Sequence, residues 1–70
     1  MPDMQYVNSS NIEQVGYDEQ GMELHVTFKD GAHYVYYEVP AEVFDQLLNA
    51  VSPGSFLNRE LKNVYNYAKQ

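Results

Sequence analysis

Alternation of apolar and polar side chains is the clearest structural signal in the chain. Every second residue of Met22–Phe28 is apolar and those between are polar, which is typical of a β-strand with one buried face. Asp30-Gly31 follows, a dipeptide that favours a tight hairpin because it tolerates positive φ. The pattern therefore predicts a further strand over Ala32–Glu38, and an earlier one over Asn11–Asp18 that ends in a turn closed by Gly21.

The register of these strands decides which side chains share a face of the sheet. A two-residue loop at Asp30-Gly31 pairs His25 with Tyr36, and directly opposed residues point the same way. Tyr34 and Tyr36 then point away from the core side of the sheet, and pairing of Asp18 with Met22 adds Val15 and Tyr17 to that outer face. A one-residue bulge in the hairpin reverses the assignment of the two tyrosines.

Helical periodicity replaces alternation after Val39-Pro40. A helix is predicted to start here, because proline suits the first turn of a helix. Apolar residues recur at helical spacing from Val43 to Val51. Ser52-Pro53-Gly54 interrupts this stripe, and a second helix capped by Ser52 or Ser55 follows, with its apolar face running to Ala68. The predicted fold is α+β, a three-stranded antiparallel β-meander followed by two helices (β-β-β-α-α), with residues 1–70 as a single domain and a core of about 7–67.

Composition narrows the classes of function. The 70 residues include no cysteine, so the domain depends on apolar packing or oligomerisation rather than on disulfides. The net charge is −6, yet three of the four basic residues lie in residues 51–70. The acidic total disfavours non-specific binding to nucleic acid, whereas a local basic stripe near the C-terminus stays open. The N-terminal residues do not resemble a secretory signal, so we expect a cytoplasmic protein without a membrane partner.

The residues offer little catalytic chemistry. There is no G-x-S-x-G sequence, and the serines fall where turns and helix caps are expected. His25 and His33 lie on opposite faces in the pairing above, so they are not expected to share a metal ion. The four glycines are isolated from one another, so no phosphate-binding loop is predicted. We therefore expect a protein that is not an enzyme and has neither cofactor nor metal.

The remaining unusual feature is a concentration of tyrosine in the third predicted strand, and it carries a family resemblance. Over roughly residues 7–67 the chain resembles the KTSC domain family, whose central mark is the motif found here as Tyr34-x-Tyr36. The matching segments are Ser9-Ser10-Asn11-Ile12, Val15-Gly16-Tyr17-Asp18, Leu24-x-Val26-x-Phe28, Gly31, Tyr34-x-Tyr36, Val39-Pro40, Gly54 and Asn58.

The resemblance implies a small binding domain rather than a catalytic one. KTSC domains occur at the C-terminus of some lysyl-tRNA synthetases and as short stand-alone proteins in bacteria and phages. RNA binding has been suggested for the family from that attachment. Tyr34 and Tyr36 match its motif, Asn58 matches an asparagine near the start of the last helix, and Tyr65 matches a tyrosine towards its end. No catalytic residue is implied.

Two classes of function follow from these observations. In the first, a tRNA-like RNA binds by base stacking on the tyrosines and by phosphate contacts to Arg59, Lys62 and Lys69. The alternative is a protein-interaction or self-associating domain, including a small ligand-sequestering oligomer of phage type, because tyrosine is enriched in interface cores. The candidate binding residues are Tyr34, Tyr36, Tyr17, His25, Asn58, Arg59, Lys62 and Tyr65.

Overall fold

Five short strands form one antiparallel sheet, and two helices pack on one of its faces. The computed structural model describes residues 2–70. The strands follow one another in the sheet in chain order, each antiparallel to its neighbour. In chain order the elements are β1 Met4–Tyr6, β2 Ile12–Asp18, β3 Glu23–Phe28, β4 His33–Tyr36, α1 Ala41–Leu48, α2 Pro53–Glu60 and β5 Tyr67–Lys69.

The α+β class and the two helices are confirmed, but the predicted number of strands is wrong. β1 has only three residues, which is too short for a period-2 pattern to stand out. β5 lies where the second helix was expected to continue. That helix ends at Glu60, because the amides of Leu61 and Lys62 both donate to the Leu57 carbonyl. The chain then returns to the free edge of β4 and pairs Val35 with Ala68.

The hairpin between β3 and β4 has a longer loop than predicted. The Gly31 amide donates to the Phe28 carbonyl over 2.9 Å, and Gly31 has a φ of 95°. This is a three-residue loop in which the glycine forms a bulge. The register moves by one residue, so Tyr36 lies opposite Leu24 and Tyr34 opposite Val26. Both tyrosines therefore share the core side of the sheet, and their predicted placement on the outer face is wrong.

The hairpin between β2 and β3 is shifted in the same way. Asp18 pairs with Glu23 rather than with Met22, which takes a positive φ of 53° within the loop. Val15 and Tyr17 therefore lie opposite Val26 and Leu24 on the core side, not on the outer face as predicted. A register irregularity between Ile12 and Gln14 returns Ile12 to the core side as well.

The core lies between the sheet and the two helices. Leu47 of α1 and Phe56 and Leu57 of α2 pack on the sheet, and Leu61 follows α2 into the same cluster. The buried members from the sheet side are Ile12, Val15, Leu24, Val26, Tyr36 and Val39. Burial of a Leu, Val or Ile side chain contributes roughly 1.5–3 kcal/mol, so this cluster is the main stabilising feature.

The helices are short and their starts match the sequence pattern closely. Pro40 is the N-cap of α1, and Ser52 is the N-cap of α2 with Pro53 as its first residue. Val51, predicted to extend the apolar stripe of α1, lies in the connection between the helices and is exposed. Within residues 2–70 no helix is long and apolar enough to cross a membrane.

Candidate binding groove

A groove of about 290 Å³ opens between α2 and the β4–β5 edge of the sheet. This volume is close to the lower limit of about 300 Å³ for small-molecule sites, so the groove has room for a small planar group. Its walls combine aromatic rings with amide and ammonium groups. The lining residues are Asn11, Phe28, Asp30, Ala32, Tyr34, Tyr36, Leu57, Asn58, Lys62, Tyr67 and Lys69.

Three tyrosines form one wall of the groove. Tyr34 and Tyr36 are two residues apart on β4, so both point to the core side, and Tyr67 lies opposite Tyr36 on β5. The ring centroids of Tyr67 lie 5.6 Å from Tyr34 and 5.5 Å from Tyr36. Phe28 meets Tyr34 edge to face at 5.6 Å. These separations lie in the range in which aromatic pairs attract one another.

The tyrosines differ in how much of each ring is available. Tyr36 is 3% exposed and belongs to the core, whereas Tyr67 is 49% exposed and Tyr34 lies between them. Burial raises the pKa of the Tyr36 hydroxyl, and the nearby Tyr67 and Tyr34 hydroxyls raise it further. The Tyr36 phenol is therefore neutral near pH 7. Tyr67 and Tyr34 expose ring surface that a ligand can contact, and the buried Tyr36 ring packs against both of them.

The charge of the groove is opposite to that of the whole chain. Lys62 follows α2 and Lys69 lies on β5, and both contribute to the lining, where Asp30 is the carboxylate. The chain as a whole has a net charge of −6. A polyanion repelled by most of the surface is therefore attracted locally to this site. Asn11 and Asn58 add amide donors and acceptors.

The loop that supplies Asn11 is held in place by close contact with α2. The Ser9 hydroxyl accepts the Ile12 amide over 3.2 Å and donates to the Asn11 side-chain oxygen over 3.0 Å. Gly54, in the first turn of α2, lies against the same loop. A Cβ at Gly54 would come within 2.5 Å of Asn11 Oδ1, so any larger residue would displace the Asn11 amide from this position. The sequence motif that contains Ser9, Asn11 and Gly54 thus fixes one end of the groove.

Tyr17, a candidate stacking residue, lies away from the groove. Its ring stacks on Phe44 of α1 at a centroid distance of 5.4 Å, and its hydroxyl donates to the Val39 carbonyl. Burial, followed by the nearby Glu19, raises the pKa of the Tyr17 hydroxyl. The ring and the hydroxyl are both engaged within the protein, so Tyr17 does not act with Tyr34 and Tyr36 as one surface.

Two other predicted residues, Arg59 and Tyr65, also lie outside the groove lining. Arg59 is exposed, pairs with Glu60 at 3.1 Å and lies over the Phe56 ring at 5.9 Å. Tyr65 is half-buried and packs against the core. Of the predicted site residues, Tyr34, Tyr36, Asn58 and Lys62 are brought together. Sequence reasoning missed Tyr67 because the last segment was assigned to a helix.

His25 lies on the outer face, which is the face of the sheet opposite the helices. It pairs with Val35, and His33 pairs with Thr27 on the same side. His25 Nδ1 and His33 Nε2 are 3.2 Å apart, so their predicted separation on opposite faces is wrong. Burial lowers the pKa of the His33 imidazole, and His25 lowers it further. The one-residue register shift that moved the tyrosines inward also brought the histidines together.

The sheet order, the two helices on one face and the groove at the β4–β5 edge define a small α+β domain with an open aromatic groove. The chain belongs to the KTSC domain family, whose model matches residues 8–65. Tyr34-x-Tyr36, the motif on which the resemblance was based, lies in the wall of the groove.

Similar proteins support this assignment. The crystal structure of a KTSC domain protein from Yersinia pestis has a TM-score of 0.93 with 31% identity, and covers 100% of this chain and 99% of that chain. A protein of Tsukamurella paurometabola is 54% identical over 59 residues, which is 84% of this chain and 88% of the relative. A lysine–tRNA ligase of Nostoc punctiforme is 33% identical over 58 residues, covering 83% of this chain but 10% of the ligase.

Proposed function

We propose that this domain binds single-stranded RNA in the groove beside α2, without catalysing a reaction on it. The observation that supports the proposal most strongly is the placement of two lysines beside the aromatic wall in an otherwise acidic chain. Unpaired bases expose faces that stack on aromatic rings, and the phosphates that join them attract cations. The groove offers both kinds of contact within one small site.

Base stacking supplies the part of the binding free energy that does not depend on charge. Tyr67 is the most exposed ring of the wall and Tyr34 lies beside it at 5.6 Å. A base against an aromatic ring contributes about 1–3 kcal/mol. The small volume of the groove limits this contribution to one base or two. The Asn11 and Asn58 amides line the same groove and are placed to contact the edge of a base.

The lysines supply the electrostatic part, and their number limits it. Lys62 and Lys69 allow contact with two phosphates, and each neutralised phosphate of a single strand changes the logarithm of the binding constant by about −0.7 per logarithmic unit of salt. We therefore expect a slope of about −1.4. Binding is weak and restricted to low ionic strength, because the remaining surface repels the polyanion.

The similarity to a lysine–tRNA ligase supports RNA as the polyanion. The match covers most of this chain but only a tenth of that enzyme, so what it shares is a module of the size of this domain. A module of this kind adds RNA contacts to a larger protein or acts alone. The relatives of similar length, such as the uncharacterised protein of Stutzerimonas stutzeri that is 41% identical over 56 residues, fit the second arrangement.

Fluorescence anisotropy of a labelled single-stranded RNA tests the proposal at low salt. Tyr67→Ala should weaken binding roughly 5- to 150-fold, the factor that corresponds to loss of one stack. Lys62→Gln should weaken it and reduce the salt slope by about half. Equal affinity of wild type and Tyr67→Ala, with both folded by circular dichroism, contradicts the proposal.

Arg59→Gln is the matched control for the lysine variant. It removes the same charge from a neighbouring exposed position, where the guanidinium pairs with Glu60 outside the groove lining. We expect its affinity to stay within about twofold of wild type, because a surface charge away from the contact acts only through a screened field. If Arg59→Gln weakens RNA binding as much as Lys62→Gln does, the loss reflects the net charge of the protein and contradicts binding in the groove.

A further inference from the structure

Two imidazoles face each other on the outer face of the sheet, away from the groove. His25 on β3 and His33 on β4 occupy adjacent non-opposed positions, since Val35 lies opposite His25 and Thr27 opposite His33. The nitrogens turned toward each other are His25 Nδ1 and His33 Nε2, at 3.2 Å. The two rings meet at an interplanar angle of 72°, so they are not stacked.

The separation of these nitrogens matches that of two ligands on one metal ion. Zinc binds imidazole nitrogen at about 2.0–2.1 Å in tetrahedral geometry, which places two such nitrogens about 3.3–3.4 Å apart. The observed 3.2 Å needs an adjustment of only a few tenths of an ångström. It also lies at the long end of the range of about 2.7–3.2 Å for a hydrogen bond donated by nitrogen, so without metal one imidazole donates to the other.

Glu23 supports the metal-binding form of His25. Its carboxylate oxygen lies 3.5 Å from His25 Nε2, the ring nitrogen that faces away from His33. A carboxylate at this distance favours the tautomer that carries the proton on Nε2, which leaves Nδ1 free to bind a metal. The His25 side chain is 13% exposed, so its packing limits rotation of the ring while leaving the pair within reach of solvent.

We propose that His25 and His33 form a two-nitrogen site for a divalent transition metal ion such as Zn²⁺ on the outer face of the domain. In residues 2–70 no group of three or more His, Cys, Asp or Glu side chains is arranged to hold a metal. Water therefore completes the coordination, and the ion is exchangeable. A metal ion on His33 Nε2 requires the proton of that ring to lie on Nδ1.

Titration of the tag-free protein with ZnCl₂ tests the site, followed by nitrogen-15 NMR of the imidazoles. The chain contains only two histidines, so each ring nitrogen can be assigned. We expect the largest changes at His25 Nδ1 and His33 Nε2, with one ion per chain and fast exchange. Unchanged imidazole signals in excess zinc, or changes confined to His25 Nε2 and His33 Nδ1, overturn the proposal.

Two variants separate zinc binding at this pair from binding elsewhere. His33→Gln removes one ligand and should reduce zinc affinity at least tenfold, measured by competition with a chromogenic chelator. Glu23→Gln keeps both ligands and should cause a smaller loss, because the carboxylate acts only through His25. Equal zinc affinity in wild type and His33→Gln contradicts the proposal. RNA binding in the groove should be the same in all three proteins.

Discussion

The two ends of the helix-covered face of the sheet use tyrosine in different ways. At one end the Tyr17 ring stacks on Phe44 of α1 and its hydroxyl donates to the Val39 carbonyl. At the other end Tyr34 and Tyr67 line an open groove beside α2. A tyrosine whose ring and hydroxyl are both engaged stabilises the fold, whereas one that keeps part of its ring exposed is available to a ligand. Whether a tyrosine of this domain stabilises the fold or can contact a ligand therefore depends on whether other residues cover its ring.

The largest expected effect is loss of stability at the covered end. Tyr17→Ala removes a packed ring and a hydrogen bond, and should lower the free energy of unfolding by about 3 kcal/mol. Tyr67→Ala at the open end should lower it by about 1 kcal/mol, because the ring is 49% exposed. Urea unfolding followed by circular dichroism measures both. Equal losses contradict the distinction between the two ends.

Gly54→Ala tests how the open end is built. The added Cβ would lie 2.5 Å from Asn11 Oδ1, so the Asn11 side chain must shift and lose its hydrogen bond from the Ser9 hydroxyl. We expect a loss of about 1–3 kcal/mol in the free energy of unfolding, together with weaker RNA binding because Asn11 lines the groove.

Gly21→Ala is the control for Gly54→Ala. Its added Cβ would meet Asp18 Oδ2 at 3.3 Å and the Glu23 side chain at 3.5 Å, both longer than the contact at Gly54, and Gly21 is exposed. We expect a change of at most about 0.5 kcal/mol, as for most surface substitutions. Thermal unfolding of both variants makes the comparison, and a stability loss in Gly21→Ala as large as in Gly54→Ala contradicts the contact argument.

The smallest expected effect is a loss of stability at alkaline pH. Burial raises the pKa of Tyr36 and Tyr17 in the folded protein, so the unfolded chain releases these protons first. Stability is therefore complete below about pH 10, the ordinary tyrosine pKa, and decreases as pH rises through the folded pKa values. Melting temperatures above pH 10 should decrease less steeply in Tyr17→Phe than in wild type. An identical slope assigns the loss to other groups.

The sequence predicted the helices and the central strands of this fold more clearly than the register in which the strands pair. The alternation from Leu24 to Phe28 and the helix start at Pro40 were predicted correctly, because each is a local pattern with a local cause, whereas Met22 lies in the loop. The register depended on whether Gly31 ends a two-residue loop or forms a bulge, and both loops suit the same dipeptide. A one-residue difference moved Tyr34 and Tyr36 to the opposite face of the sheet.

The candidate site was predictable only in part for the same reason. Asn58, Lys62 and the two β4 tyrosines were identified from sequence, and they meet in the groove. Tyr67 was missed because β5 is three residues long and exists by pairing with the edge of β4. That pairing is a long-range contact that no local pattern reports. The histidine pair was missed because it requires the correct register.

The most direct test of the central claim is an NMR map of the surface that RNA contacts at low salt. The account predicts that aromatic signals of Tyr34 and Tyr67 and amide signals around Lys62 shift on addition of single-stranded RNA. Signals of Tyr17 at the covered end and of His25 on the outer face should stay unchanged. Shifts centred on His25, or none beside α2 in excess RNA, contradict the claim that the groove is the binding surface.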